Sequence, residues 1–221
     1  MHDIELARGW RIAQVRACLA NQKSSFDLID FIRARYSERF FGPIHLLTES
    51  KATEHRHGFA VMALCCLLVE TIESYREGIP STNRGELRRI EDAVKQGDLS
   101  VPAEYSVRQD EWPKNAEQPF VDFFGFARDF FGELDGSEFY KFIRNGLLHQ
   151  AQTKNRWLLV RTGQLWDKNA HRVNRDLFAR KLEECFNSYL TQLKSAGWDD
   201  DPWCKARRKV WWLATLSERS F

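Results

Sequence analysis

Residues 59–69, FAVMALCCLLV, constrain this chain more than any other stretch: eleven consecutive residues carry no charge, proline or glycine. Such a run must leave water, so it belongs to a packed core or a membrane. It falls short of the roughly 18 residues that a bilayer span needs, and Glu70 ends it. It therefore reads as part of a long helix, from about residue 53 to 77, in the middle of a bundle. Gly78, followed by Pro80, closes that helix. With 221 residues the chain can bury a substantial core without disulfides or metals. Apolar residues at 43% and charged residues at 29% exclude a disordered or low-complexity chain. The N-terminal MHDIELARGW lacks the basic-then-apolar order of a signal peptide, so a cytoplasmic protein with no membrane partner is expected.

Five cysteines form no CxxC pair, and a structural zinc site is not expected. Cys65 and Cys66 lie inside the apolar run and read as small buried hydrophobes. The net charge of +2 selects no partner. At the C-terminus, Asp199, Asp200 and Asp201 precede Lys205, Arg207, Arg208 and Lys209, interleaved with Trp203, Trp211 and Trp212. Charge and indole could hold a nucleic acid there. The plainer reading is favoured: an amphipathic helix that packs its tryptophans and turns its charges to water.

Apolar spacing predicts helices over residues 3–20 and 26–41, the latter broken by Gly42-Pro43. Residues 79–118, with Pro80, Pro102 and Pro113, read as an irregular insertion holding a short helix near 86–96. The phenylalanine-rich stretch 119–132 and the segment 137–151 are predicted helices. Residues 157–161 and 164–167 flank Thr162-Gly163 and read as a β-hairpin. Helices return over 174–195 and 203–216. The expected fold class is all-α with one small hairpin, a single domain over 1–221. Its core spans about 24–195, and a basic, Trp-rich helix lies within 198–221.

Glycine-rich phosphate loops and a Ser-His-Asp order are not evident. What stands out is Arg144-Asn145-Gly146-Leu147-Leu148-His149 on a predicted helix. With 22 arginines and six histidines, the spacing alone carries little weight. A looser match, Arg39 to His45, is set aside because Gly42-Pro43 falls inside it. Context says more. Asn145 and His149 are four apart and share a helix face, and Arg144 is long enough to curl toward them. Apolar neighbours anchor the helix, and a polar trio there costs stability unless it faces a cleft or partner. The ordinary alternative is an ion pair of Arg144 with Glu138 or Glu133, and a His149 that meets the helix dipole.

FYKFIRNGLLHQAQTK resembles the signature helix of HEPN domains, all-α domains of bacterial defence and toxin systems, whose hallmark is Arg, a polar residue, a few positions, then His. HGFAVMALCCLLVETIESYREG is similar to the long helix preceding that signature in one uncharacterised bacterial branch, and WLLVRTGQLW to the hairpin after it. The resemblance covers residues 53–195 in pieces. It implies an HEPN-like helical bundle and a metal-independent endoribonuclease acting as a homodimer, with both signature helices lining one composite active site. A defence or toxin role follows, with a neutralising or activating protein partner and no cofactor. In that reading His149 transfers protons at the RNA 2′-hydroxyl and the leaving 5′-oxygen, since histidine titrates near neutrality. Arg144 stabilises charge on the phosphate, and Asn145 orients His149 or holds a phosphate oxygen. The resemblance equally admits a non-catalytic module that binds RNA, a partner protein or a small effector.

Around this trio, Lys141, Lys154 and Arg156, together with Arg161, could contact RNA phosphates or serve as plain solubilising charge. Glu70 needs a partner if buried; it either anchors Arg144 or reaches solvent. The cluster of phenylalanines at 120–131 reads as core or dimer interface rather than a base-stacking platform. His55 and His57 diverge by about 200° on a helix and make a poor metal pair.

Overall fold

The computed structural model describes residues 4–49 and 57–218. Residues 53–56, the predicted start of the long helix, and His55 lie outside them. The described residues are mostly helical, with two small sheets.

Its first helix begins later than the apolar spacing predicts. Residues 5–11 form an antiparallel hairpin, β1 (Glu5–Ala7) and β2 (Trp10–Arg11). Gly9, at φ +78°, reverses the chain where a Cβ would be strained. Leu6 and Ala7 are buried from the hairpin, so the apolar pattern before residue 12 belongs to strand. Helix α1 is Ile12–Leu19. Nor does Gly42-Pro43 break the second helix. Ser25–Tyr36 (α2) widens into a π-helical turn, Ser37–Phe41, and continues as Gly42–Glu49 (α3). The wider turn makes room for a proline ring and for the missing N–H. The Arg39–His45 match therefore does lie on helix, and His45 Nε2 pairs with Glu183 Oε2 at 2.9 Å.

The remaining elements are α4 (Gly58–Glu77), α5 (Arg84–Lys95), α6 (Gln118–Phe126), α7 (Arg128–Phe131) and α8 (Gly136–Glu138). A π-helical segment, Phe139–Arg144, leads into α9 (Asn145–Gln150). Strands β3 (Leu158–Val160), β4 (Trp166–Asp167) and β5 (Arg172–Asn174) precede α10 (Arg175–Ser195) and α11 (Asp201–Ser217). Contacts divide the chain into two compact units.

One unit comprises residues up to 38, 73–116 and from 189. Here the 79–118 stretch is an ordered layer, not an irregular excursion. Asn83 caps α5 by accepting from Gly85 and Glu86 N–H groups. Ile90, Ala93 and Leu99 pack on Trp212 of α11. Trp203 and Trp212 are buried, as expected, and donate to the carbonyls of Leu193 and Tyr105. The basic residues between them do not all face water. The Arg208 guanidinium donates to the carbonyls of Gly78 and Glu77 and to Glu111. The buried Lys209 amine donates to Pro80 O at 2.6 Å. Backbone carbonyls at the end of α4 and after it need donors, and α11 supplies them.

The other unit comprises residues 39–72 and 117–188. Its centre is a cage of Phe120, Phe123, Phe124, Phe131, Phe139 and Phe178, with Phe139 stacked on Phe178 at 5.0 Å. The phenylalanine cluster is core. In the same unit α4 buries Val61, Met62, Cys65, Cys66, Leu68 and Val69 completely. It is not surrounded on all sides, since Phe59 and Leu67 stay 45% and 41% exposed. By length and composition α4 could also cross a membrane, but most of it is buried within the protein.

The predicted two-stranded hairpin is replaced by a three-stranded sheet of order β3-β5-β4. β5 lies between the other two, parallel to β3 and antiparallel to β4. Asn174 explains the insertion. Its N–H donates to Leu165 O and its side-chain amide to Gly163 O, so the loop's carbonyls turn to β5.

Candidate functional site

The helix bearing Arg144 begins at Asp135, whose carboxylate accepts from the Ser137 and Glu138 N–H groups. The run from Gly136 to Gln150 is helical as predicted, but its middle is π rather than α, and the π segment ends at Arg144. A π turn leaves a carbonyl without its usual helical donor, and such turns recur at functional sites. Here the Phe142 carbonyl accepts from Lys154 N–H at 2.8 Å. The donor comes from beyond the helix because the chain folds back. Ala151 caps α9 in the left-handed region, at φ +52°, and residues 152–154 return along the helix. They press on Gly146: a Cβ there would overlap the Gln152 carbonyl oxygen and lie 3.0 Å from Thr153 Cα. Only glycine permits this approach.

The structure brings Arg144, Glu70, Tyr140 and Asn145 together. Arg144 Nε donates to Glu70 Oε1 at 2.9 Å, with both side chains 19% exposed. Its guanidinium also lies over the Tyr140 ring, 5.5 Å from the centroid. Arg144 Nη1 reaches Asn145 Oδ1 at 3.4 Å, a weak contact. The predicted anchor of Arg144 is therefore Glu70. Glu138 pairs instead with Lys168, and Glu133 with Arg128. His149 is exposed on α9, four residues from the half-buried Asn145. Cys66 sits close enough to feel Glu70 and Arg144, but burial, then Cys65 and Glu70, push its thiol well up, against any nucleophilic role.

Electrostatically the segment is one-sided. From Phe139 to Trp166, 28 positions, there is no Asp or Glu, while Lys141, Arg144, Lys154, Arg156 and Arg161 all fall within it. With 31 acidic residues in 221, such a stretch would hold about four at the average density. Lys141 and Arg156 are exposed and Lys154 half-buried, and none of the three has an ion-pair partner among the described residues. Arg161 is different: it pairs with Asp176 at 3.0 Å and donates to Thr48 O. Phosphate groups would find Lys141, Lys154 and Arg156 unengaged, and Arg161 occupied.

Three features escaped the sequence reading: the π turn, Gly146 as a contact surface, and the fold-back turn at 154–157. The acid-free run is legible in the sequence; the other three depend on residues that meet only after folding.

No family model matches the chain, and neither curated proteins nor solved structures yield a match.

Proposed function

We propose that this chain is an HEPN-like endoribonuclease of the cytoplasm that cleaves RNA by attack of the 2′-hydroxyl without a metal ion, in a defence or toxin setting. The observation that carries the reading is an exposed His149 on the same helix as a tethered Arg144, in a 28-residue stretch free of carboxylates. A general base for RNA must be open to substrate, and a polyanion is favoured by a helical stretch, 139–150, whose own charges are all positive, the carboxylate bound to Arg144 coming from Glu70 on α4. His149 accepts the 2′-hydroxyl proton, the 2′-oxygen bonds to the adjacent phosphorus, and the bond to the 5′-oxygen breaks. That oxygen takes a proton, leaving a 2′,3′-cyclic phosphate and a 5′-hydroxyl. Arg144 holds the charge that builds on the phosphoryl oxygens, and the Glu70 bond fixes where its guanidinium can lie. Asn145, on the face of His149, holds a phosphate oxygen or the imidazole. Among the described residues His149 is the histidine on this helix, and a second copy is proposed to supply the proton donor in a homodimer.

The test is cleavage of total and transfer RNA by pure protein in EDTA, beside Arg144→Ala and His149→Ala, with end-group analysis. Cleavage by wild type alone, leaving cyclic phosphate, is expected. Cleavage retained by His149→Ala overturns the reading.

The Arg144–Glu70 pair favours a second reading, a non-catalytic module, because an arginine already engaged suits a scaffold. In that case RNA remains intact with all three proteins while His149→Ala still binds it.

A further inference from the structure

Where the chain folds back after α9 it makes a tight turn at residues 154–157. Trp157 N–H donates to Lys154 O at 3.2 Å, closing a four-residue turn. Its two central residues, Asn155 and Arg156, have φ of +52° and +59°. Positive φ at both centres is the type I′ pattern, which favours Asn first and Gly second. Asn155 obeys the rule and Arg156 breaks it. A left-handed arginine is strained by its Cβ, and such departures cluster at functional sites.

The turn is held rigidly. Behind it, Lys154 N–H is fixed to Phe142 O and the preceding residues lie on Gly146. Ahead of it, the Thr153 hydroxyl donates to Trp157 O, and the buried Trp157 ring stacks on Trp166 at 3.9 Å. What the turn presents is unused. Among the described residues, the N–H groups of Asn155 and Arg156 and the side chains of Lys154 and Arg156 have no partner. Both Asn155 and Arg156 are exposed.

We infer that this turn is a phosphate subsite. Two open amides and a guanidinium, with an ammonium beside them, form the donor set that a phosphodiester oxygen accepts. The side chain at the second central position is what a glycine could not supply, which accounts for the strained arginine. This inference rests on the proposed RNA cleavage for its substrate. The turn would hold a phosphate next to the scissile one and set the register of the strand over His149.

The test separates the two ideas. Inorganic phosphate is titrated into the full chain while backbone amide resonances are followed. The Asn155 and Arg156 amides are expected to shift and saturate, equally in His149→Ala, which cannot cleave. Arg156→Gly is expected to stabilise the protein, by about fivefold in the folded-to-unfolded ratio, because it removes the strain. The same variant weakens phosphate binding about tenfold through loss of the charge-assisted bonds. Arg156→Lys keeps the charge and the strain, and retains part of the binding. Shifts spread over Lys141, Lys154 and Arg161 without movement of the Asn155 and Arg156 amides overturn the inference. So does an Arg156→Gly variant that binds phosphate as wild type does. Neither result bears on whether His149 cleaves RNA.

Discussion

Lys209 gives the sharpest quantitative test of the fold. Its amine lies in the interior and donates to Pro80 O, and among the described residues no carboxylate is bonded to it. Burial lowers its pKa from the ordinary 10.5 to about 7; Glu86 pulls it back up, and Arg35 pushes it further down. Between those two values the unfolded chain holds a proton that the folded chain has released. Stability therefore rises with pH from about 7 toward 10.5, and the full penalty of the buried charge applies below 7. At about 1.4 kcal/mol for each pKa unit, the whole gap is worth about 5 kcal/mol. From pH 7 to pH 9 the gain is about 2 kcal/mol. Lys209→Met removes the titration and leaves Pro80 O without its donor, a cost of about 1–3 kcal/mol. The variant should thus be the more stable protein at pH 7, and its lead should shrink by about 2 kcal/mol at pH 9. Urea unfolding of both proteins at pH 7, 8 and 9 measures this. Groups common to both, such as the Cys65 thiol that burial pushes up, cancel in the difference. Parallel stability curves would mean that the amine is hydrated in the folded state, and the argument would fail.

Other substitutions probe the site and its support. Gly146→Ala should cost about 1–3 kcal/mol, because the methyl meets backbone rather than a movable side chain. Hydrogen exchange should show the Lys154 amide losing protection as its bond to Phe142 O opens. Glu70→Gln should lower stability by about 1 kcal/mol and tighten binding of a 2′-O-methyl RNA, since it frees Arg144 from a counter-charge. Denaturant unfolding and fluorescence anisotropy read the two effects, and weaker RNA binding would count against the tether. Phe139→Ala should cost about 3–5 kcal/mol, because the ring is fully buried and stacked on Phe178. Chemical denaturation tests it, and a loss below 1 kcal/mol would place Phe139 outside the core.

What the sequence revealed and concealed follows from the range of the interactions. Helices announced by long apolar periodicity, such as α10 and α11, were legible to within a few residues, because one face of each packs inward along its whole length. The Glu70–Arg144 pair was half legible: a carboxylate at the edge of an apolar run needs a partner or water, and only the fold, across 74 positions, chooses Arg144. Elements fixed by distant residues were not. The break expected at Gly42-Pro43 disappears because a π turn just before it absorbs the proline. Residues 158–160 and 166–167 look like neighbouring hairpin strands, yet Asn174 places β5 between them with two hydrogen bonds that no local pattern encodes. Lys209 resembles a solvated helix charge until the Pro80 carbonyl is brought against it. The turn at 154–157 shows both sides of this limit. Asn155 suits a type I′ turn, but Arg156 contradicts it, and a rule based on turn chemistry alone would reject the structure that forms. Local preference loses there because the Phe142 carbonyl, Gly146 and the Trp157–Trp166 stack fix the chain on either side. A residue forced against its own preference by such a frame is where function is best sought.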